Sequence, residues 1–119
     1  MKTVFDKQAL YVPEGKSVDV VLPEPFRIQD CLFLLVHNSH GETLQVTLSN
    51  DYGHSISQNF TLTTFPSILV FSTPPRKEQE DANNEEYSKA TFTSFTELDG
   101  SLTFRSKNTP QVLRRYLSE

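Results

Sequence analysis

The sequence is poor in several residue types that particular structures and activities require. It holds one cysteine, one methionine, four glycines and no tryptophan in 119 residues. A single cysteine cannot form a disulfide within the chain, and four glycines are too few for the loops that cradle phosphates in nucleotide-binding proteins. The longest apolar run, residues 31–36, is far shorter than the roughly 18 residues of a membrane-spanning helix. We therefore expect no internal disulfide, no nucleotide loop and no membrane partner.

Positive charge is also scarce. Eleven Lys and Arg residues stand against fifteen Asp and Glu residues, which gives a net charge of −4. Proteins that bind nucleic acid usually carry a basic face, so this balance predicts no nucleic-acid partner. The first seven residues lack the apolar stretch of a signal peptide, and we expect a chain that is not secreted by that route.

The residues that are abundant favour β-strands. Nine Phe and four Tyr accompany many Ser and Thr residues, and aromatic and β-branched side chains are enriched in strands. The length is typical of one domain. The sequence therefore predicts a single all-β domain over residues 1–119. We expect an antiparallel β-sandwich, jelly-roll or Ig-like, of about eight strands.

Alternation of apolar and polar residues marks three of these strands, at 16–22, 42–49 and 89–97. Two others, at 31–37 and 67–72, are apolar on both faces and are predicted to be fully covered strands inside the fold. The predicted core consists of Phe33, Leu35, Val46, Leu48, Leu69 and Phe71.

Turn residues suggest how the strands connect. Residues 38–41 are predicted to join 31–37 to 42–49 as a hairpin, and 98–100, which contain Asp-Gly, to join 89–97 to 101–106. Residues 50–53 form another turn cluster. Pro23 and Pro25 are expected to end the strand before them, since proline cannot donate to a ladder.

Two segments differ from the strands around them. Residues 76–89 are charged and almost without apolar side chains, which predicts a long, solvated acidic loop. Residues 110–118 begin with proline after a threonine, a helix-start signal, and predict a short C-terminal helix. Its apolar stripe is Val112, Leu113, Tyr116 and Leu117.

Histidines are the first candidates for chemistry. His37, His40 and Glu42 form the pattern H-x-x-H-x-E, and His54 follows one strand later. Two histidines and a carboxylate are ligands that zinc or iron accepts. The spacing differs from that of cupin barrels, whose two histidines are one residue apart, and His40 falls in a turn. We predict turn and surface histidines, with no metal and no other cofactor.

A serine-histidine-aspartate set can also be drawn, from Asp51, His54 and one of many serines. The sequence has no G-x-S-x-G elbow and no glycine-rich oxyanion loop, so we predict that the chain is not an enzyme. Exposed aromatic residues near turns are natural anchors for a protein partner. Tyr52 and Phe65 are the predicted interface residues.

Two stretches resemble proteins of viral particles. Residues 11–20, Tyr-Val-Pro-Glu-Gly-Lys-Ser-Val-Asp-Val, are similar to an opening strand and hairpin of many small virion proteins. Residues 32–48 resemble a segment that recurs in capsid decoration proteins of tailed phages. In it an apolar strand ends in Asn38, a small turn follows and the strand Leu-Gln-Val-Thr-Leu returns. Together the stretches cover about a quarter of the chain.

The resemblance implies a non-enzymatic accessory protein that contacts capsid or other virion proteins and is found in the virion or in the cytoplasm of the host cell. The resemblance identifies no catalytic or binding residue in this chain. Three alternatives remain open: a small phage or bacterial inhibitor that caps a host enzyme, a carbohydrate-binding module, and, least favoured, a cupin-like metalloenzyme. Self-association into a homo-oligomer is also left open.

Overall fold

The computed structural model of the protein describes residues 2–38, 41–63, 66–72 and 85–106. These residues form eight β-strands and a three-residue 3-10 helix. The elements are β1 (Lys2–Val12), β2 (Lys16–Arg27), the 3-10 helix (Ile28–Asp30), β3 (Cys31–His37), β4 (Thr43–Ser49), β5 (Ser55–Thr61), β6 (Ser67–Val70), β7 (Glu86–Ser94) and β8 (Leu98–Ser106). No helix in this part of the chain is long and apolar enough to cross a membrane. The predicted helix at 110–118 lies outside the described residues.

The strands form two four-stranded sheets. Sheet A has the order β1-β8-β3-β6, and sheet B has the order β2-β7-β4-β5. Every neighbouring pair is antiparallel. The prediction of an all-β antiparallel fold is confirmed.

The inner faces of the two sheets meet in one aromatic core. Phe33 of β3 stacks on Phe104 of β8, with ring centroids 4.7 Å apart. The same ring meets Phe92 of β7, in the opposite sheet, edge to face at 5.8 Å. Both contacts have the geometries that aromatic pairs prefer. Because Phe33 and Phe92 belong to different sheets, their contact packs the two sheets face to face in a sandwich-like arrangement. All six predicted core residues are buried: Phe33, Leu35, Val46, Leu48, Leu69 and Phe71.

The two hairpins predicted from the turn residues at 38–41 and 98–100 are wrong. β3 belongs to sheet A and β4 to sheet B, so the chain passes from one sheet to the other between these two strands. β7 and β8 also lie in different sheets, and residues 98–100 are part of β8 itself. Turn residues favour a reversal of the chain, but they do not determine which strand the returning segment pairs with.

The boundaries of two strands also differ from prediction. β2 does not end at Pro23 but runs on to Arg27, with a register shift between Val21 and Phe26. An edge strand with such an irregularity accepts proline, because the missing N–H is not needed by the ladder. β7 begins at Glu86, so residues 86–89 of the predicted acidic loop are strand. Residues 76–84 of that predicted loop lie outside the described residues.

One hairpin stays within a sheet, between β4 and β5. The side-chain oxygen of Asn50 accepts hydrogen bonds from the backbone N–H groups of Tyr52 and His54, each at 3.0 Å. Gly53 has a φ of 81°, a conformation that glycine adopts without steric cost. The turn predicted at 50–53 is therefore confirmed, and its asparagine and glycine explain why it forms.

Candidate protein-binding surface

The outer face of sheet A carries a group of exposed aliphatic side chains on β3 and β6. Leu32 lies opposite Val70, and Leu34 opposite Ile68. Ile68 is 63% exposed, Val36 46% and Val70 39%, while the two leucines are half-buried. We call these five residues, Leu32, Leu34, Val36, Ile68 and Val70, the outer apolar patch.

The patch exists because β3 and β6 are apolar on both faces. Successive side chains of a strand point to opposite sides of the sheet. Cys31, Phe33 and Leu35 enter the core, so the residues between them must face outward. The prediction that these strands are covered on both faces is wrong for the described residues, because no described element lies over the outer side of β3 and β6. Single exposed apolar residues are ordinary, but a contiguous group indicates an interaction surface.

Polar residues border the patch on the β8 side. Ser101 lies opposite Val36, Thr103 opposite Leu34, and Arg105 opposite Leu32. The patch itself contains no charged side chain. An apolar centre with a polar border is the usual anatomy of a protein–protein interface.

The outer face of sheet B is different in character. Its outward side chains on β4, β5 and β7 are chiefly Ser, Thr, Asn and Gln, several of them joined across strands. Thr47 bonds Ser57 at 2.7 Å, and the hydroxyl of Thr91 donates to Asp19 at 2.7 Å. Such polar groups are satisfied by one another and by water, so this face has no need of a cover. The two faces of the sandwich are therefore chemically distinct.

The structure places only one of the two predicted anchors. Tyr52 lies in the β4–β5 turn and is 85% exposed; Phe65 lies outside the described residues. This turn joins two strands of sheet B, so Tyr52 is not part of the outer apolar patch. Among the other aromatics near strand ends, Phe26 and Tyr87 are buried and Phe95 is 73% exposed.

Tyr11 is a further exposed aromatic residue, on the edge strand β1. Its hydroxyl donates a hydrogen bond to a carboxylate oxygen of Glu97 at 2.7 Å. This bond, with smaller contributions from desolvation and nearby negative charge, raises the pKa of Tyr11. The contact holds the β7–β8 connection against β1.

The two described histidines, His37 and His54, have different partners. His37 is buried, and its Nε2 lies 2.6 Å from the hydroxyl of Ser67, so the prediction of a surface residue is wrong here. His54 is exposed and pairs with the carboxylate of Glu85. His40 lies outside the described residues. In the described ranges no three His, Cys, Asp or Glu side chains are grouped so that they could hold a metal ion.

The serine beside His37 is a structural partner. Ser67 is 3% exposed, and its hydroxyl also accepts a hydrogen bond from the backbone N–H of Thr63 at 3.1 Å. A nucleophile must reach its substrate, and this hydroxyl is enclosed by the protein. The pair instead ties the end of β3 to the start of β6. Asp51 does not pair with His54, whose carboxylate partner is Glu85.

Comparison with protein-family models, with curated proteins and with solved structures finds no match for this chain. Its function has to be argued from its own surface.

Sequence reasoning missed the outer apolar patch because it looked for aromatic anchors at turns. The signal was present: strands 31–37 and 67–72 are apolar at consecutive positions, on both faces. In a sheet with one solvated face, alternation with polar residues is the expected pattern. Two adjacent strands that break it mark either a covered face or a binding surface.

Proposed function

We propose that this protein is a non-enzymatic binding module and that the outer apolar patch is its contact surface for another protein. The observation that carries the proposal is the contrast between the two outer faces. Sheet B exposes hydrogen-bonded polar residues, whereas sheet A exposes Leu32, Leu34, Val36, Ile68 and Val70 together. Burial of such side chains contributes about 25 cal/mol per Å² of apolar surface removed from water. Only the surplus over the entropy lost on association appears as affinity.

The partner surface we propose is flat, apolar and low in charge. The β3 and β6 part of the sheet has no charged side chain directed outward, so a charged partner surface would be desolvated without an opposite charge to meet it. Arg105 lies at the border and would meet the polar rim of the partner. Rim charges of this kind affect association rate and orientation more than affinity.

We further propose that the sandwich is a jelly roll and that the protein is a virion accessory protein, such as a capsid decoration protein. The strand orders support a jelly roll over an Ig-like sandwich, because every connection except β4–β5 crosses between sheets. An Ig-like sandwich keeps several consecutive strands, such as A and B, in the same sheet. Jelly rolls occur in capsid proteins, lectins and cupins, so the fold is compatible with the virion hypothesis and does not single it out.

Substitution of Ile68 by lysine tests the contact surface. Ile68 is 63% exposed on an edge strand, so the fold should tolerate the change. Placing a charge in an apolar interface should weaken binding by about thirtyfold or more, which corresponds to about 2 kcal/mol at a central anchor. The measurement is titration calorimetry against the protein that co-purifies with this chain from its native source.

Val21→Lys is the matched control for that experiment. Val21 is 76% exposed on β2, the edge strand of the other sheet, so the same chemical change falls outside the patch. We expect Val21→Lys to bind as the unaltered protein does. If both variants weaken binding equally, or if neither weakens it, the outer apolar patch is not the contact surface. A capsid protein as partner supports the virion proposal. A single host enzyme would favour the inhibitor instead, and a glycan would favour the carbohydrate-binding module.

Tyr52→Ala gives a separate prediction for the turn anchor. Because Tyr52 is 85% exposed, its truncation should leave stability within about 0.5 kcal/mol of the unaltered protein. We expect a loss of affinity smaller than that of Ile68→Lys, since Tyr52 lies on the sheet B side. Thermal melts and the same calorimetric titration measure both quantities. If Tyr52→Ala loses more affinity than Ile68→Lys, the partner binds at the β4–β5 turn and not on the outer face of sheet A.

A further inference from the structure

The sandwich has four edge strands, and three of them carry features that block pairing with another chain. An edge strand presents unpaired N–H and C=O groups, and proteins protect such edges with charges, prolines, bulges or short length. β1 has two register shifts and a positive φ at Lys7. β2 has Pro23, Pro25 and a register shift. β6 is only four residues long.

The fourth edge strand, β5, has none of these features. Its sequence, Ser-Ile-Ser-Gln-Asn-Phe-Thr, contains no charge, no proline and no glycine. All seven residues pair with β4 in a continuous register, from Ser49 opposite Ser55 to Thr43 opposite Thr61. It is the longest regular edge in the described part of the chain. An uncharged edge without bulges or prolines is a template for another strand.

The hydrogen bonds to β4 show which backbone groups of β5 point to the open side. Asn50 N donates to His54 O at 3.1 Å, and Leu62 N donates to Glu42 O at 2.8 Å. Antiparallel ladders alternate, so the even-numbered residues between 54 and 62 also bond to β4. The N–H and C=O groups of the odd-numbered residues are therefore directed away from β4. These residues are Ser55, Ser57, Asn59 and Thr61.

We infer that β5 is a self-association edge, and that its partner is β5 of a second copy of this chain, antiparallel about a two-fold axis at Gln58. In that register Ser57 faces Asn59 of the other copy and exchanges two hydrogen bonds with it. Ser55 and Thr61 do the same. The outward-pointing groups of one copy therefore meet the outward-pointing groups of the other, as an isologous interface requires.

The side chains of β5 are complementary in the same register. Ile56 and Phe60 point toward the core and are half-buried, so each keeps some apolar surface open at the edge. Pairing about Gln58 places Ile56 opposite Phe60 of the other copy, at a position where side chains approach closely. Aromatic and β-branched residues are a favourable cross-strand pair. The two sheets B would join into one eight-stranded sheet. This inference does not depend on the proposed function.

Asn59→Pro tests the inference, with Asn59→Ala as its matched control. Both variants remove the amide side chain, but only proline also removes the N–H that points to the open edge. Proline is tolerated at such edge positions, because the ladder to β4 does not use that N–H. We expect the unaltered protein and Asn59→Ala to sediment as a dimer of 13.6 kDa chains, and Asn59→Pro as a monomer with an unchanged far-ultraviolet circular dichroism spectrum.

Amide hydrogen exchange on the unaltered protein gives a test that needs no variant. In a monomer the amides of Ile56, Gln58 and Phe60 should be protected, and those of Ser57 and Asn59 should exchange rapidly. In the proposed dimer all five are protected, and dilution restores rapid exchange at Ser57 and Asn59. A monomeric unaltered protein at the highest soluble concentration, a dimer that Asn59→Pro leaves intact, or rapid exchange at Ser57 and Asn59 in the dimer would each overturn the inference.

Discussion

Phe33→Ala should lower the free energy of unfolding by about 3–5 kcal/mol, the cost typical of removing a fully buried phenylalanine. Phe33 has no exposed surface and contacts aromatic rings of both sheets, Phe104 at 4.7 Å and Phe92 at 5.8 Å between ring centroids. The substitution removes apolar contact and leaves a cavity where the sheets meet. Urea unfolding followed by circular dichroism measures the change. Small domains are stable by only about 5–15 kcal/mol, so a loss of this size removes a large share of the total stability.

Leu34→Ala is the control, one residue further along the same strand. Leu34 points to the outer face, where it belongs to the outer apolar patch and is half-buried. We expect a loss of stability well below that of Phe33→Ala, because Leu34 already exposes part of its surface to solvent and its truncation leaves no enclosed cavity. Similar losses at the two positions would mean that the outer face of β3 is enclosed as fully as the inner face, and a larger loss at Leu34 would mean that the two faces have been assigned the wrong way round.

Gly100→Ala should destabilise the protein by about 1–3 kcal/mol, as overpacking of a close-packed site does. A Cβ atom built at Gly100 would lie 2.5 Å from the backbone oxygen of Val36 and 3.3 Å from Cδ1 of Leu35. The first atom belongs to the backbone of β3, which is fixed between β6 and β8. Relief of the clash therefore requires a shift of the strand and not a side-chain rotation. Thermal unfolding of the variant measures the effect.

Ser101→Ala tests whether that loss is specific to the glycine position. Ser101 is the next residue of β8 and faces outward, opposite Val36. Its change to alanine should alter stability by no more than about 0.5 kcal/mol, as is usual for surface substitutions. If Gly100→Ala is as stable as the unaltered protein, the close approach of β8 to β3 at this point is not a constraint on the fold.

The two proposed interaction surfaces belong to different sheets. The outer apolar patch lies on the face of sheet A, and the self-association edge is the open side of β5 in sheet B. Dimerisation through β5 would leave the patch of each copy uncovered by the β5–β5 ladder. We therefore expect Asn59→Pro to affect self-association and Ile68→Lys to affect binding of a different protein. A dimer would then present two patches, and two linked contacts bind more tightly than one.

Local pattern predicted the strands well where one face is apolar and the other polar. β4 is the clearest case, with Leu44, Val46 and Leu48 buried and the residues between them facing outward. The bounds of β3, Cys31–His37, also match the prediction. These features depend on near neighbours in the chain, because the two-residue period of a strand fixes which side chains share a face.

Pairing of the strands could not be predicted in the same way. The turn residues at 38–41 and the Asp-Gly pair at 99–100 indicated hairpins, yet the flanking strands belong to different sheets. Hairpin signals describe the conformation of a few residues, whereas a sheet is chosen by the apolar surface that distant strands bury together. β8 shows this: its neighbours in sheet A are β1 and β3, about 90 and 70 residues away in the chain.

The sequence by itself therefore determined the fold class, the position of most strands and the six core residues. It also excluded a disulfide within the chain, since there is one cysteine. Only the tertiary structure decided that Leu34 and Ile68 face outward with no described element over them, and that β5 is a regular edge strand with no described strand on its open side. The physical reason is that exposure is a property of the assembled sheets. An apolar side chain has the same local sequence pattern whether a second layer covers it or not, and an edge exists only when the strand order is complete.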